Sequence, residues 1–221
     1  MQILYEDNHI IVVEKKPNIP SQSDKTGDVD MLTLVKDYIK EKYNKPGNVY
    51  VGLVHRLDRP VGGVMIFAKT SKSAGRLSDQ VREKIFKKKY LAVVDGKIES
   101  KSGTLEDYLY KDERNNISKV VDKNKKNAKL AKLDYKVLKY NEVKDLSLLE
   151  INLHTGRHHQ IRVQLSNFGH SIFGDQKYGT RGKGKQIALW AYELTIIHPI
   201  TKEEMTFKKL PETNGTWCIL K

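Results

Sequence analysis

His55-Arg56-Leu57-Asp58-Arg59-Pro60-Val61-Gly62-Gly63 is the stretch from which the rest of the chain can be read. An apolar run, residues 49–54, leads into it, and a second, residues 64–68, leads out. Apolar β-branched runs suit strands, and Pro with paired glycines suits a turn. The stretch therefore predicts strand, turn, strand. A carboxylate, Asp58, stands there between two guanidiniums, Arg56 and Arg59. In an extended segment residues two apart share a face, so Arg56 and Asp58 point the same way. A surface ion pair on a hairpin would carry the same residues and contribute only about 0–1 kcal/mol. Taken alone, the segment favours that plainer reading.

Further stretches change the balance. One is Lys87-Lys88-Lys89-Tyr90-Leu91-Ala92-Val93-Val94-Asp95-Gly96, and another is Leu153-His154-Thr155-Gly156-Arg157-His158-His159-Gln160-Ile161-Arg162. Next comes Gly169-His170-Ser171-Ile172-Phe173-Gly174-Asp175-Gln176-Lys177-Tyr178-Gly179, and the opening segment, residues 7–17, belongs with them. In this order they resemble the RluA-type branch of the pseudouridine synthases. That family's patterns are D-x-x-x-x-V-x-K-P, H-R-L-D, K-K-x-Y-x-A-x-V-x-G, T-G-R-x-H-Q-x-R and G-H-P-I-x-G-D-x-x-Y-G. The resemblance runs from about residue 3 to residue 211. It departs from the family at Val61-Gly62-Gly63, where Thr-Ser-Gly is usual, and at Leu189-Trp190-Ala191, where Leu-His-Ala is frequent.

The resemblance implies an α+β fold: a long, bent, mixed but mostly antiparallel sheet with flanking helices and a central catalytic cleft. It implies a single catalytic domain over residues 1–221, without the appended N-terminal RNA-binding domain of many relatives. It also implies an isomerase that converts uridine in RNA to pseudouridine. Carried over position by position, Asp58 becomes the essential carboxylate, Arg162 its partner, and Tyr90 the ring that stacks on the extruded uracil. Arg56 becomes the residue that enters the helical stack as the nucleotide flips out. The chemistry suits these residue types. Burial alone would raise the pKa of Asp58, and a guanidinium nearby opposes that by about 1–3 units. Arginine stays charged and grips a carboxylate through two nitrogens. Stacking on an aromatic ring is worth about 1–3 kcal/mol per base, against a flipping cost of a few kcal/mol.

Composition agrees with a nucleic-acid partner. The chain has 221 residues, a net charge of +13, 38% hydrophobic and 30% charged residues. An excess of positive charge suits a polyanion, either nucleic acid or an anionic membrane surface. No apolar run approaches the length of a membrane span, and the first residues lack the pattern of a signal peptide. Cys218 is the sole cysteine, so no internal disulfide can form, and a reducing cytoplasmic setting is expected. Nucleic acid is then the more economical partner, and the resemblance implies RNA, ribosomal large-subunit or transfer, bound by a cytoplasmic monomer that does not engage membranes.

Along the chain, residues 3–5 and 10–14 predict a hairpin around Asp7-Asn8. Leu32, Val35, Ile39 and Tyr43 recur at helical spacing after a possible cap at Asp28 or Asp30, and Pro46-Gly47 ends that helix. Ser71 is expected to cap a second helix with Ala74, Leu77, Val81 and Ile85 on one face. Residues 90–94 predict a strand ending in a hairpin-type turn at Asp95-Gly96. Strands follow at 104–110, 117–121, 129–139 and 146–153. Thr155 then resembles the cap of a helix with Ile161, Leu165 and Phe168 inward and Gly169 as its stop. Strands at 188–197 and 205–207 close the chain.

Other candidates are weaker. His55, His154, His158 and His159 invite a metal reading, but no carboxylate or cysteine completes a zinc pattern. Backbone or phosphate contacts are the better expectation for them, His55 among the RNA contacts, and neither metal nor cofactor is expected. Gly156-Arg157 at a helix start would offer N–H groups to a phosphate. Three basic runs, residues 84–89, 119–132 and 181–185, are individually no more than solvated faces. Together on this chain they point to an RNA footprint that includes Lys88, Lys89, Lys125 and Lys126. The rival reading is a non-catalytic RNA-binding protein that keeps the fold; a metal-dependent nuclease built on the histidines is a further one, which a chelator would expose.

Overall fold

The computed structural model describes residues 1–183 and 185–221; Gly184, within the basic loop expected at 181–185, lies outside the described residues. In chain order the first elements are β1 (Gln2–Glu6), β2 (Ile10–Lys15), α1 (Met31–Lys42), β3 (Gly52–Leu53), β4 (Gly62–Ala68) and α2 (Ser71–Arg82). Then come β5 (Lys87–Asp95), β6 (Ser102–Asp112), β7 (Ile117–Val121), β8 (Lys129–Asn141), β9 (Leu146–Leu153) and α3 (Gln160–Asn167). β10 (Leu189–Ile197) and β11 (Glu204–Lys208) precede a 3-10 turn, Gly215–Leu220. The chain is α+β and forms two compact units, one of Met1–Lys87 with Ala191–Leu210, the other of Lys88–Trp190 with Pro211–Lys221.

In the first unit, β1 pairs with β2 and β2 with β4, both antiparallel. β3 pairs with β4, β10 lies beside β4, and β11 pairs with β10. Alternation along the strands sorts the core. Ile10, Val12, Val64, Ile66, Leu194 and Ile196 pack with Leu77 of α2 and Phe86. The other face of β2 and β4, with Ile11, Val13, Met65 and Phe67, is equally buried. These strands are covered on both faces, and so read as continuous apolar runs. α1 begins at Asp30, whose carboxylate accepts the Thr33 N–H at 3.1 Å, an ordinary N-cap.

The second unit is an antiparallel array in the order β5, β9, β8, β6, β7. Among the described residues β7 pairs with β6 alone and forms an edge. α3 buries Gln160 through Leu165 without a break. Its end is a Schellman motif: His170 N–H reaches Leu165 C=O and Gly169 N–H reaches Ser166 C=O. Gly169 takes φ +91°, a conformation that favours glycine.

Several expectations are corrected. α2 is capped by Thr70, not Ser71; the Thr70 hydroxyl accepts the Ser73 N–H at 3.1 Å. Ile85 falls beyond α2 and is exposed. Asp95-Gly96 does not join a hairpin, because β5 pairs with β9 and not with β6. Thr155 does not cap α3. Its hydroxyl accepts Lys132 N–H at 2.8 Å and donates to Gln160 Oε1 at 2.7 Å, and the helix starts after His159. Phe168 follows α3 and is partly exposed, its ring against Tyr135 and His170.

Candidate active site

The Asp58 turn belongs to the first unit and is tied down by backbone bonds that the preceding loop supplies. Burial alternates from His55 to Asp58: His55 and Leu57 are buried, Arg56 is exposed and Asp58 partly so. That is the pattern of an extended segment with Arg56 and Asp58 outward. Ser21 Oγ donates to Leu57 C=O at 2.8 Å and accepts Leu57 N–H at 3.1 Å. Asn18 N–H reaches Arg59 C=O at 2.8 Å. The amine of Lys15, wholly buried at the end of β2, donates to Val61 C=O at 2.7 Å and Arg59 C=O at 2.9 Å. Asp58 is thus flanked on both sides by residues whose carbonyls are held. Burial pushes the Lys15 amine down to about 7, with Asp58 opposing and Arg59 reinforcing the shift.

Arg59 turns to an acidic loop. It binds Asp28, Asp24 and the Thr26 hydroxyl, all exposed. This exposed ion pair joins Arg59 to the loop before α1 and does not involve Asp58. Gly63 takes φ +131°, and a Cβ there would lie 2.1 Å from the carbonyl oxygen of Ala191. The glycine is required by the close approach of β10, so the departure from the family at Val61-Gly62 stops short of it. His55, expected at RNA, is buried; its Nε2 accepts Ile66 N–H at 3.1 Å and its ring packs on Phe86.

Arg162 and Tyr90 belong to the second unit. The Arg162 side chain, 4% exposed, donates from Nε to Asp175 Oδ2 at 2.8 Å and from Nη2 to Asp175 Oδ1 at 2.7 Å. Tyr178 places its ring 5.2 Å from the guanidinium carbon. Tyr90 is buried in β5, and Lys88 stands two residues before it on the same face of the strand. The Lys88 amine lies 3.5 Å from where a Gly156 Cβ would stand, and burial lowers its pKa. Lys89, on the opposite face, is 4.0 Å from Glu150.

The start of the 155–162 stretch differs from the phosphate cradle expected of it. Arg157 N–H is spent on Gln160 Oε1 at 3.0 Å, and Arg157 Nε on Leu130 C=O at 2.9 Å. The histidines have partners other than a metal: His154 meets Asp134, while His158 and His159 stack on each other at 3.8 Å, His158 beside Ser118 and His159 beside Tyr178. Among the described residues no group of three His, Cys, Asp or Glu side chains could hold a metal. Lys125 and Lys126 are exposed in the turn between β7 and β8, where the Lys125 amine lies 5.0 Å over the Tyr110 ring. Sequence reading assigned no role to Asp175, Tyr178, Lys15 or Ser21. The first two lie in the Gly169-to-Gly179 stretch that carried the resemblance, and that was their only signal.

Comparison with known proteins places this arrangement. The pattern of the RNA pseudouridylate synthase family matches residues 9–167. The chain is 36% identical over 213 residues to ribosomal large subunit pseudouridine synthase C of Rickettsia bellii, covering 95% of this chain and 68% of that one. It is 30% identical over 227 residues to tRNA pseudouridine synthase C of Haemophilus influenzae, covering 93% and 91%. A solved structure, human RNA pseudouridylate synthase domain containing 4, superposes with a TM-score of 0.79 at 23% identity, covering 96% and 89%. That likeness establishes the fold. The chain belongs to the RNA pseudouridylate synthase family. It spans about two thirds of the length of several curated relatives.

Proposed function

We propose that this chain isomerises uridine to pseudouridine in structured RNA, with Asp58 as the essential carboxylate, Arg162 as its guanidinium partner and Tyr90 at the base. Residues 1–221 serve as one catalytic domain. The bond from ribose carbon 1-prime to uracil N1 breaks, the base turns, the sugar rejoins at C5, the C5 proton leaves and N1 takes up a proton. One C–N bond is exchanged for one C–C bond with no change of oxidation state, so the reaction calls for no cofactor or metal. Arg56, exposed two residues before Asp58, contacts the flipped nucleotide. Lys88, Lys89, Lys125, Lys126 and Arg157 contribute the RNA footprint. The relatives' names direct the search to large-subunit ribosomal RNA and transfer RNA. Among the described residues no helix is long and apolar enough to cross a membrane. With Cys218 as the sole cysteine, we place the activity in the reducing cytoplasm.

The observation that carries the reading is the family match across residues 9–167, which takes in both Asp58 and Arg162. Its test is Asp58→Asn, which keeps the side chain's size and removes its charge. Pseudouridine formation should vanish while RNA affinity stays within about threefold, since the loss lies in the chemical step. Mapping pseudouridines in ribosomal and transfer RNA from cells with and without the gene identifies the target. Product from Asp58→Asn at the wild-type rate would remove Asp58 from the mechanism.

A further inference from the structure

Arg162 is held by more than its carboxylate. Asp175 also accepts the backbone N–H groups of Lys177 at 2.9 Å and Tyr178 at 3.2 Å, so the turn after it is folded around the guanidinium. That turn delivers Tyr178. Its ring caps Arg162, and its hydroxyl oxygen accepts the N–H of Ser118 at 2.7 Å. Ser118 lies on β7, is buried, and is clamped in turn: its hydroxyl donates to His158 C=O at 2.7 Å. The Tyr178 hydroxyl also stands 2.8 Å from His159 Nδ1, and the two rings meet edge to face at 84°. His159 itself has φ +53° and occupies the cap position of the helix that carries Arg162.

We propose that Tyr178 is a positioning residue for Arg162: its ring fixes the plane of the guanidinium, and its hydroxyl, held by Ser118 and His159, fixes the ring. The proposal rests on the catalytic role given to Arg162 above. It uses three properties of the arrangement. A guanidinium stacks on an aromatic face, and the attraction grows when both are out of water. A hydroxyl that accepts an N–H from Ser118 keeps its own proton for a second partner, and in the proposal His159 Nδ1, 2.8 Å away, takes it. His159 is then neutral, with its proton on Nε2. Burial, then the positive charges of Arg162, His158, Lys177 and Lys111, keep the imidazole from protonating, in agreement with that bond. The Tyr178 ring is tied at β7 and at the start of α3.

The test compares Tyr178→Phe with Tyr178→Leu. The first keeps the ring and loses the hydroxyl, leaving the buried Ser118 N–H unsatisfied. Its single-turnover rate at saturating RNA should fall about 5- to 10-fold. The second loses the ring as well and should fall by a further factor of about 10. RNA affinity should stay within about threefold in both. Two readouts do not depend on activity. The Arg162 Nε–H proton resonance should be ring-current-shifted in the wild type and in Tyr178→Phe, and return to its ordinary position in Tyr178→Leu. Nitrogen shifts of His159 in the wild type should report Nε2–H and no titration between about pH 5 and 8. A wild-type rate in Tyr178→Leu, an unshifted Arg162 resonance in the wild type, or a His159 proton on Nδ1 would each overturn the proposal. Should the wild type form no pseudouridine in any RNA, the catalytic reading falls, and the two resonances still decide where Tyr178 acts. If Tyr178→Leu does not fold, the wild-type and Tyr178→Phe spectra decide.

Discussion

Arg162 meets Asp175 through two nitrogens and two oxygens, 2.8 Å and 2.7 Å apart, with the Asp175 side chain wholly buried. A guanidinium fixed this way has its plane and direction set by the protein. Lysine keeps the charge but is a point donor that cannot span both oxygens. Arg162→Lys should therefore lower the single-turnover rate by at least about 100-fold, with RNA affinity nearly unchanged. Rapid-quench measurement of product decides this. A rate within a few-fold of wild type would show that the fork is dispensable.

Removing the other half of the pair has a different signature. Asp175→Asn takes away the buried carboxylate charge that grips two of the guanidinium nitrogens. Breaking one side of a buried ion pair costs about 3–5 kcal/mol. Asp175→Asn should therefore lose stability by an amount of that order in urea unfolding, besides losing activity. A stability loss under about 1 kcal/mol would mean that water reaches Arg162.

Lys15 gives a prediction in pH. Its folded pKa is about 7, below the unfolded value of about 10.4. Between those values the unfolded chain holds more protons than the folded one. This residue therefore makes folding stability rise with pH across that window, at up to about 1.4 kcal/mol per unit. Lys15→Met abolishes the rise. It also takes the Lys15 donor from the Val61 carbonyl, at about 1–3 kcal/mol, while the Arg59 carbonyl keeps the Asn18 N–H. Urea unfolding of both proteins at several pH values from about 7 to 10 tests the claim. Parallel curves would show that Lys15 does not titrate there.

Much of the fold could be read locally, and the exceptions have physical causes. β7 and β9 begin and end where the sequence placed them, because each is an alternating or apolar run between polar turns. α1 follows from Val35 and Ile39 after the Asp30 cap. Thr155 misled because a Thr-Gly pair ahead of an apolar repeat resembles a helix start, whereas its hydroxyl bridges β8 to Gln160. α3 instead begins at a left-handed His159, for which no sequence rule exists. Asp58 and Arg162 were legible as motif positions. Asp175 was not assigned, because an acid 13 residues beyond an arginine has no local relation to it. Lys15 is the same problem in another form. A lysine at the end of an apolar run next to Lys16 looks solvated until the carbonyls of residues 59–61 fold over it.

The final prediction separates the RNA footprint from the chemistry. The turn between β7 and β8 presents Lys123, Lys125 and Lys126 to solvent, with Lys129 exposed at the first position of β8. The turn is built, not slack: Asp122 accepts Asn124 N–H through its carboxylate at 2.8 Å and Lys125 N–H through its carbonyl at 3.0 Å. Its side chains can reach phosphates, which position an RNA but carry no sequence information. Replacing Lys123, Lys125, Lys126 and Lys129 with Gln should weaken binding of target and non-target RNA alike. The slope of log affinity against log salt should become shallower, by up to about 0.7 per lost contact on single-stranded RNA. The single-turnover rate at saturating RNA should hold within about twofold, because the proposed catalytic residues Asp58, Tyr90 and Arg162 are untouched. A salt titration of binding, run beside single-turnover kinetics, reads both quantities. An unchanged slope would make this turn a solvated face and move the footprint to the lysines at the start of β5. A lost rate with an unchanged slope would mean that the turn acts on the chemistry and not on the RNA backbone.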